Sequence, residues 1–227
     1  MVLSGRNEAR LAEIARGIEA VGGHCAYFPA DLCDAGSISR MVDAINTASY
    51  RIDVLINNAA DTTSKPCLET SLDEIERIIR SNMIGPLQLT RLVAPGMVAR
   101  RRGVIVNMSS LAGYKPDPAQ TVYSVSKGGI NAVSEALYAE LRGSGVHVLN
   151  VALMGIGTGP RKVPVESLAR RLERAIERGD PELFLYRRTK WQSAGHYPAR
   201  GERFVRGDRR RREFLHYRVH RHDEHDP

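Results

Sequence analysis

No apolar run in this chain reaches the roughly 18 residues needed to span a bilayer, so the sequence offers no candidate transmembrane helix. The start, Met1-Val2-Leu3-Ser4-Gly5-Arg6, lacks the basic-then-apolar layout of a secretory leader. A cytoplasmic protein is the expectation. The three cysteines, Cys25, Cys33 and Cys67, have neither CxxC spacing nor a neighbouring histidine, which argues against a thiolate metal site and leaves reduced thiols as the reading. Long stretches of one charge sign are missing from most of the chain as well. Of the net charge of +7, residues 187–227 carry +6, with twelve Lys/Arg against six Asp/Glu. Without a nucleic-acid-reading motif, that basic tail does not make nucleic acid the expected partner.

What is present suits one soluble domain: 227 residues, 42% hydrophobic and 26% charged. The first 186 residues alternate short β-branched runs with longer amphipathic ones. Strands are expected at Val2-Leu3-Ser4, 24–28, 53–57, 103–108, 146–152 and 182–186. Helices are expected at 8–21 (capped by Asn7), 35–49, 71–80, 83–99, 122–142 and 164–178. Strands separated by helices of this length imply βαβ crossovers and a parallel sheet, hence an α/β, doubly wound fold. Asp53-Val54-Leu55-Ile56-Asn57 reads as a strand buried on both faces. From residue 187 the apolar period dissolves around Arg209-Arg210-Arg211-Arg212, and the composition predicts disorder for 187–227. In such sheets ligands bind beyond the carboxyl ends of the strands.

Chemistry gathers at those ends. Ser109-Ser110 stands after the strand expected at 103–108, and thirteen residues past Ser110 stands Tyr123-Ser124-Val125-Ser126-Lys127. Tyr123 and Lys127 are four apart and share one helix face. A phenol with a pKa near 10 is a poor acid–base group at neutral pH, and a neighbouring ammonium favours its phenolate. Ser110 is placed to hydrogen-bond a substrate oxygen. Taken alone, a YxxxK pair is better read as a pair on a surface helix.

The wider pattern resembles the short-chain dehydrogenase/reductase family. Ile105-Val106-Asn107-Met108-Ser109-Ser110, then Tyr123 and Lys127, is similar to that family's active site, and Asn57-Asn58-Ala59-Ala60 resembles its NNAG motif with alanine for glycine. Asn82 matches the family's catalytic asparagine, and Asp31-Leu32 resembles its adenine-contacting pair. The resemblance covers about residues 1–160. It implies a Rossmann-type sheet and an oxidoreductase interconverting an alcohol with a ketone or aldehyde. The implied catalytic set is Asn82, Ser110, Tyr123 and Lys127, with Tyr123 the acid/base, Lys127 its modulator and ribose anchor, and Asn82 holding a water relay. Asn58, Ala59, Ala60, Tyr123 and Lys127 are the implied cofactor contacts, joined by Gly155 and Thr158 in a departure from the usual Pro-Gly and threonine pattern. The residues after the first strand, Ser4-Gly5-Arg6, offer no carboxylate for ribose hydroxyls. Arg6 suits a 2′-phosphate, so NADP(H) is expected ahead of NAD(H). A small-molecule substrate and a homo-oligomer are implied as partners.

One departure is large. The family opens with a strand and a TGxxxGxG turn, and neither precedes Val2 here. The expectation is an incomplete sheet lacking its central first strand, with two exposed edges. The alternative that follows is a catalytically inactive fragment without a pyrophosphate-binding loop.

Overall fold

A computed structural model describes residues 1–155 and 163–185. The expected disorder of 187–227 and the contact expected of Thr158 lie outside the described residues.

Two parallel sheets are formed. β1 (Val2–Gly5) pairs with β2 (Ala26–Pro29), and the second sheet runs in the order β3 (Val54–Asn57), β4 (Gly103–Ser110), β5 (Val146–Leu153), β6 (Glu182–Leu185). Among the described residues no strand joins β1 to β3, which is where the sequence placed the absent central strand. Between the strands run α1 (Glu8–Ala20), α2 (Ala35–Thr47), α3 (Leu72–Ile79), α4 (Gly85–Ala99), α5 (Thr121–Glu140) and α6 (Val165–Arg178).

Local chemistry sets the helix starts. Asn7 caps α1 by accepting from Arg10 N, and Asp34 caps α2 by accepting from Gly36 N. Ser71 and Glu74 form a reciprocal capping box at α3. α6 ends on Gly179 in the left-handed region at φ 66°.

The two broken sheets share a core. Ala30, just after β2, and Met41, Val42 and Ile45 from α2 pack with Leu55, Val93, Met97, Ile105 and Val148 from β3, α4, β4 and β5. On the opposite face, Val106, Leu149, Val151 and Leu185 pack under Ala175 of α6. Neighbouring residues of β4 and β5 therefore face opposite layers, as a doubly wound sheet requires. Fully buried residues such as Ile38, Ile105 and Leu149 each contribute about 1.5–3 kcal/mol.

β3 corrects one expectation. Leu55 is buried, but Val54 and Ile56 are 45% and 47% exposed, so the strand is covered on one face only. α6 shields β4 to β6, and no described helix reaches the far face of β3.

Gly85 ties the two halves together. A Cβ there would stand 2.4 Å from the carbonyl oxygen of Leu32 and 2.8 Å from its Cβ. Only glycine lets the start of α4 approach the loop after β2 this closely.

Candidate active site

The expected residues collect at the carboxyl ends of the strands. β4 delivers Ser109 and Ser110, and α5 lays Tyr123 and Lys127 on one face beside them. Lys127 is 3% exposed, and its Nζ donates to Met108 O at 2.8 Å, with the Tyr123 ring centroid 5.8 Å away. Burial lowers its pKa to about 8. A charged amine in this position has two N–H donors beyond the one given to Met108.

Tyr123 departs from the sequence argument. Burial raises its pKa, and the hydrogen bond with Ser110 opposes that rise. The expected lowering by Lys127 is absent: burial dominates at the phenol, and the Lys127 amine is hydrogen-bonded to the Met108 carbonyl with the ring centroid 5.8 Å away. Ser110 Oγ also accepts from Ala112 N at 3.1 Å and donates to Leu153 O at 3.4 Å, which fixes it between β4 and β5.

Asn82 is neither a helix cap nor at the start of a separate helix. It lies in a single π-turn, Arg80–Ile84, that joins α3 to α4, and it is 1% exposed. Its Oδ1 accepts from Asp61 N at 2.6 Å, while its Nδ2 donates to Asp61 O at 2.8 Å and to Ser126 Oγ at 3.0 Å. Ser126 Oγ in turn donates to the Tyr123 carbonyl at 2.7 Å. The amide therefore straps the loop after β3 to the turn of α5 that carries Tyr123 and Ser126. The carboxylate of Asp61 pairs with Arg77 of α3, which holds the same loop from its other side.

The remaining expected residues spread along the same edge. Asn58, Ala59 and Ala60 follow β3 and are exposed, and Ala60 does not take positive φ, as its substitution for glycine implies. Asp31 and Leu32 follow β2. Asp31 Oδ1 accepts from Cys33 N at 2.9 Å, and its own N–H donates to Ser37 Oγ at 3.1 Å. Arg6 follows the adjacent strand β1, is exposed, and has no carboxylate at ion-pair distance among the described residues. Gly155, at φ 66°, follows β5.

A description of the short chain dehydrogenase family matches residues 1–166. The chain belongs to that family. The ketoacyl reductase HetN of Nostoc sp. is 36% identical over 148 residues, which are 65% of this chain and 52% of that protein. A very-long-chain 3-oxoacyl-CoA reductase of Neurospora crassa is 34% identical over 174 residues, 74% of this chain and 52% of that protein. A solved metagenomic short-chain oxidoreductase in complex with NADP is 34% identical with a TM-score of 0.65, covering 68% of this chain and 70% of that one. The chain spans about half the length of the curated relatives it matches.

Behind this short-chain dehydrogenase site lies a polar row that sequence reasoning passed over. In register across the sheet stand Asn57, Asn107, Asn150 and Glu182, one on each of β3 to β6. Asn57 Nδ2 donates to Asn107 Oδ1 at 2.8 Å, Asn107 Nδ2 to Ser134 Oγ at 2.9 Å, and Asn150 Nδ2 to Asn131 Oδ1 at 3.0 Å. Ser109 Oγ also donates to Asn131, which links the row to the residue beside Ser110. At the far end Tyr114 hydroxyl contacts Glu182 and accepts from Asn150 at 2.8 Å. Burial and Glu182 push that phenol above its usual range. A signal was available: each of three apolar runs carries one asparagine in its second half.

Proposed function

We propose that the chain carries the catalytic part of an NADP(H)-dependent oxidoreductase that interconverts an alcohol and a ketone or aldehyde. The observation that carries this reading is the convergence of Ser110, Tyr123 and a buried Lys127 at the carboxyl end of β4, with Asn82 bracing the loop that faces them.

The nicotinamide cofactor, when bound, supplies or accepts the hydride. The residues present fit its nicotinamide-ribose end: Lys127 keeps N–H donors to spare, and Asn58, Ala59, Ala60 and Gly155 line the same strand ends. Arg6, which follows β1 and forms no ion pair among the described residues, supports a 2′-phosphate and so NADP(H) over NAD(H). Thr158 is carried as a further contact. In reduction Tyr123 gives its proton to the carbonyl oxygen, and in oxidation it takes one from the alcohol. Ser110 hydrogen-bonds that oxygen as charge develops on it. Lys127 keeps positive charge within reach of the ring below a pH of about 8. Exposed Leu87 and Leu92 on α4 and Val125 on α5 support self-association through those helices.

A second reading has the chain binding no cofactor, and the interrupted sheet between β1 and β3 favours it. Calorimetric titration of the chain with NADPH, with NADH alongside, separates the two. Saturable, NADPH-preferring binding supports the first. No heat of binding from either nucleotide supports the second.

A further inference from the structure

At the end of the sheet opposite Ser110 and Tyr123, where β4 and β5 begin, the surface forms a wide, largely open depression of about 450 Å³. β4 and β5 are eight residues long, so their length puts about 23 Å between this depression and the proposed catalytic edge. Arg101, Arg142 and His147 line it, with the Tyr138 ring as an apolar wall and Gly143 and Gly145 as backbone.

Three features make this more than basic residues gathered near helix C-termini. First, the charge is uncompensated. Among the described residues no carboxylate stands within ion-pair distance of Arg101 or Arg142, although six such pairs form elsewhere. Second, the rim is set by backbone. Arg101 takes φ 54°, and Gly145, at φ 86°, approaches so closely that a Cβ would lie 2.0 Å from the Arg101 carbonyl oxygen. A non-glycine residue held at positive φ is uncommon and needs surrounding structure to keep it there. Third, the side chains are oriented. Arg101 donates one N–H to Gly143 O at 3.3 Å, which leaves the rest of its guanidinium uncommitted. His147 Nε2 is within 2.9 Å of Asp180 O, and its ring meets Tyr138 edge to face at 6.4 Å between centroids.

We propose that this depression is a second ligand site, taking a small soluble phosphate monoester whose phosphoryl group lies between Arg101 and Arg142 and whose organic part rests on Tyr138. Guanidinium forks match phosphate oxygens two at a time, which is the chemistry that two unpaired arginines on one concavity supply. The volume falls within the range of small-molecule sites. The nearest carboxylate along the chain to Arg142 is that of Glu140, and it forms no ion pair with either arginine.

The test is calorimetric titration of the full chain with phenyl phosphate at constant ionic strength. One saturable site is expected. Arg142→Gln weakens it at least tenfold, Arg142→Lys falls between that variant and the parent, and Arg16→Gln, an exposed arginine of α1 outside both sites, leaves it unchanged. Both arginines are exposed, so the variants keep the parent's melting temperature. The absence of saturable binding in the parent would overturn the proposal, as would equal affinity in the parent and an Arg101→Gln/Arg142→Gln double variant.

Discussion

Lys127 is the residue on which most depends, because a charge is held there in an almost dry place. Its folded pKa lies near 8, against 10.5 for the free side chain. Below pH 8 both folded and unfolded chains keep the proton, and the cost of burying the charge is fully present. Between about 8 and 10.5 the unfolded chain holds more protons than the folded one, so stability rises with pH. Tyr123 and Tyr114 act in the opposite sense above pH 10, since their folded pKa values are raised, and Cys33 does so from about pH 9. Urea unfolding measured from pH 7.5 to 9.5 is therefore expected to show a gain on the order of 1 kcal/mol. That gain is expected to vanish in Lys127→Met, and a parent profile no steeper than the variant's would refute the assignment. For Tyr123→Phe the expected effect is on rate: loss of a proton donor costs about 10²–10⁴-fold in turnover with NADPH binding retained, read by steady-state assay and calorimetry together. Both residues were legible in the sequence because a four-residue spacing on a helix is a geometric statement. The direction of the Tyr123 shift was not legible. It depends on how deeply the phenol is buried, which the packing around it decides and a spacing does not reveal.

At the scale of elements, the start of α4 approaches the loop after β2 too closely to admit a side chain at Gly85. Gly85→Ala gains helix propensity of up to about 1 kcal/mol and loses more by forcing Leu32 aside. Net destabilisation of about 1–3 kcal/mol is expected, with a lower midpoint of chemical unfolding and an unchanged m-value. Strand and helix positions were readable to within a few residues, since apolar periodicity and capping residues are local. The π-turn at Arg80–Ile84 was not readable, and the sequence suggested two separate helices there. What holds that turn open is Asn82 bonding to Asp61, twenty-one residues earlier in the chain. The same limit applies to β3. Its apolar run predicts burial on both faces, but coverage is decided by what packs above it, and α6 stops short.

For the whole molecule, the interruption between β1 and β3 leaves two parallel edges without partners among the described residues, and Val54 and Ile56 stand exposed beside one of them. Unpaired edges carrying apolar side chains promote association. Ile56→Lys is expected to raise the concentration at which light scattering begins, with little change in melting temperature. An unchanged onset would mean that β3 is not the contact. The break itself was foreseeable from the motif order, whereas the single core shared by both sheets was not, because it is built from contacts between residues far apart in the chain. The row of Asn57, Asn107, Asn150 and Glu182 has a consequence of another kind. Aliphatic strands of similar composition can slide past one another at modest cost, since one valine substitutes for the next. Here a slip of one position would turn a primary amide into hydrocarbon and strand its neighbours' donors at a penalty of about 1–3 kcal/mol each. The row thus acts as a proofreader of strand alignment during folding, and it sets Ser110 at its height before any ligand arrives.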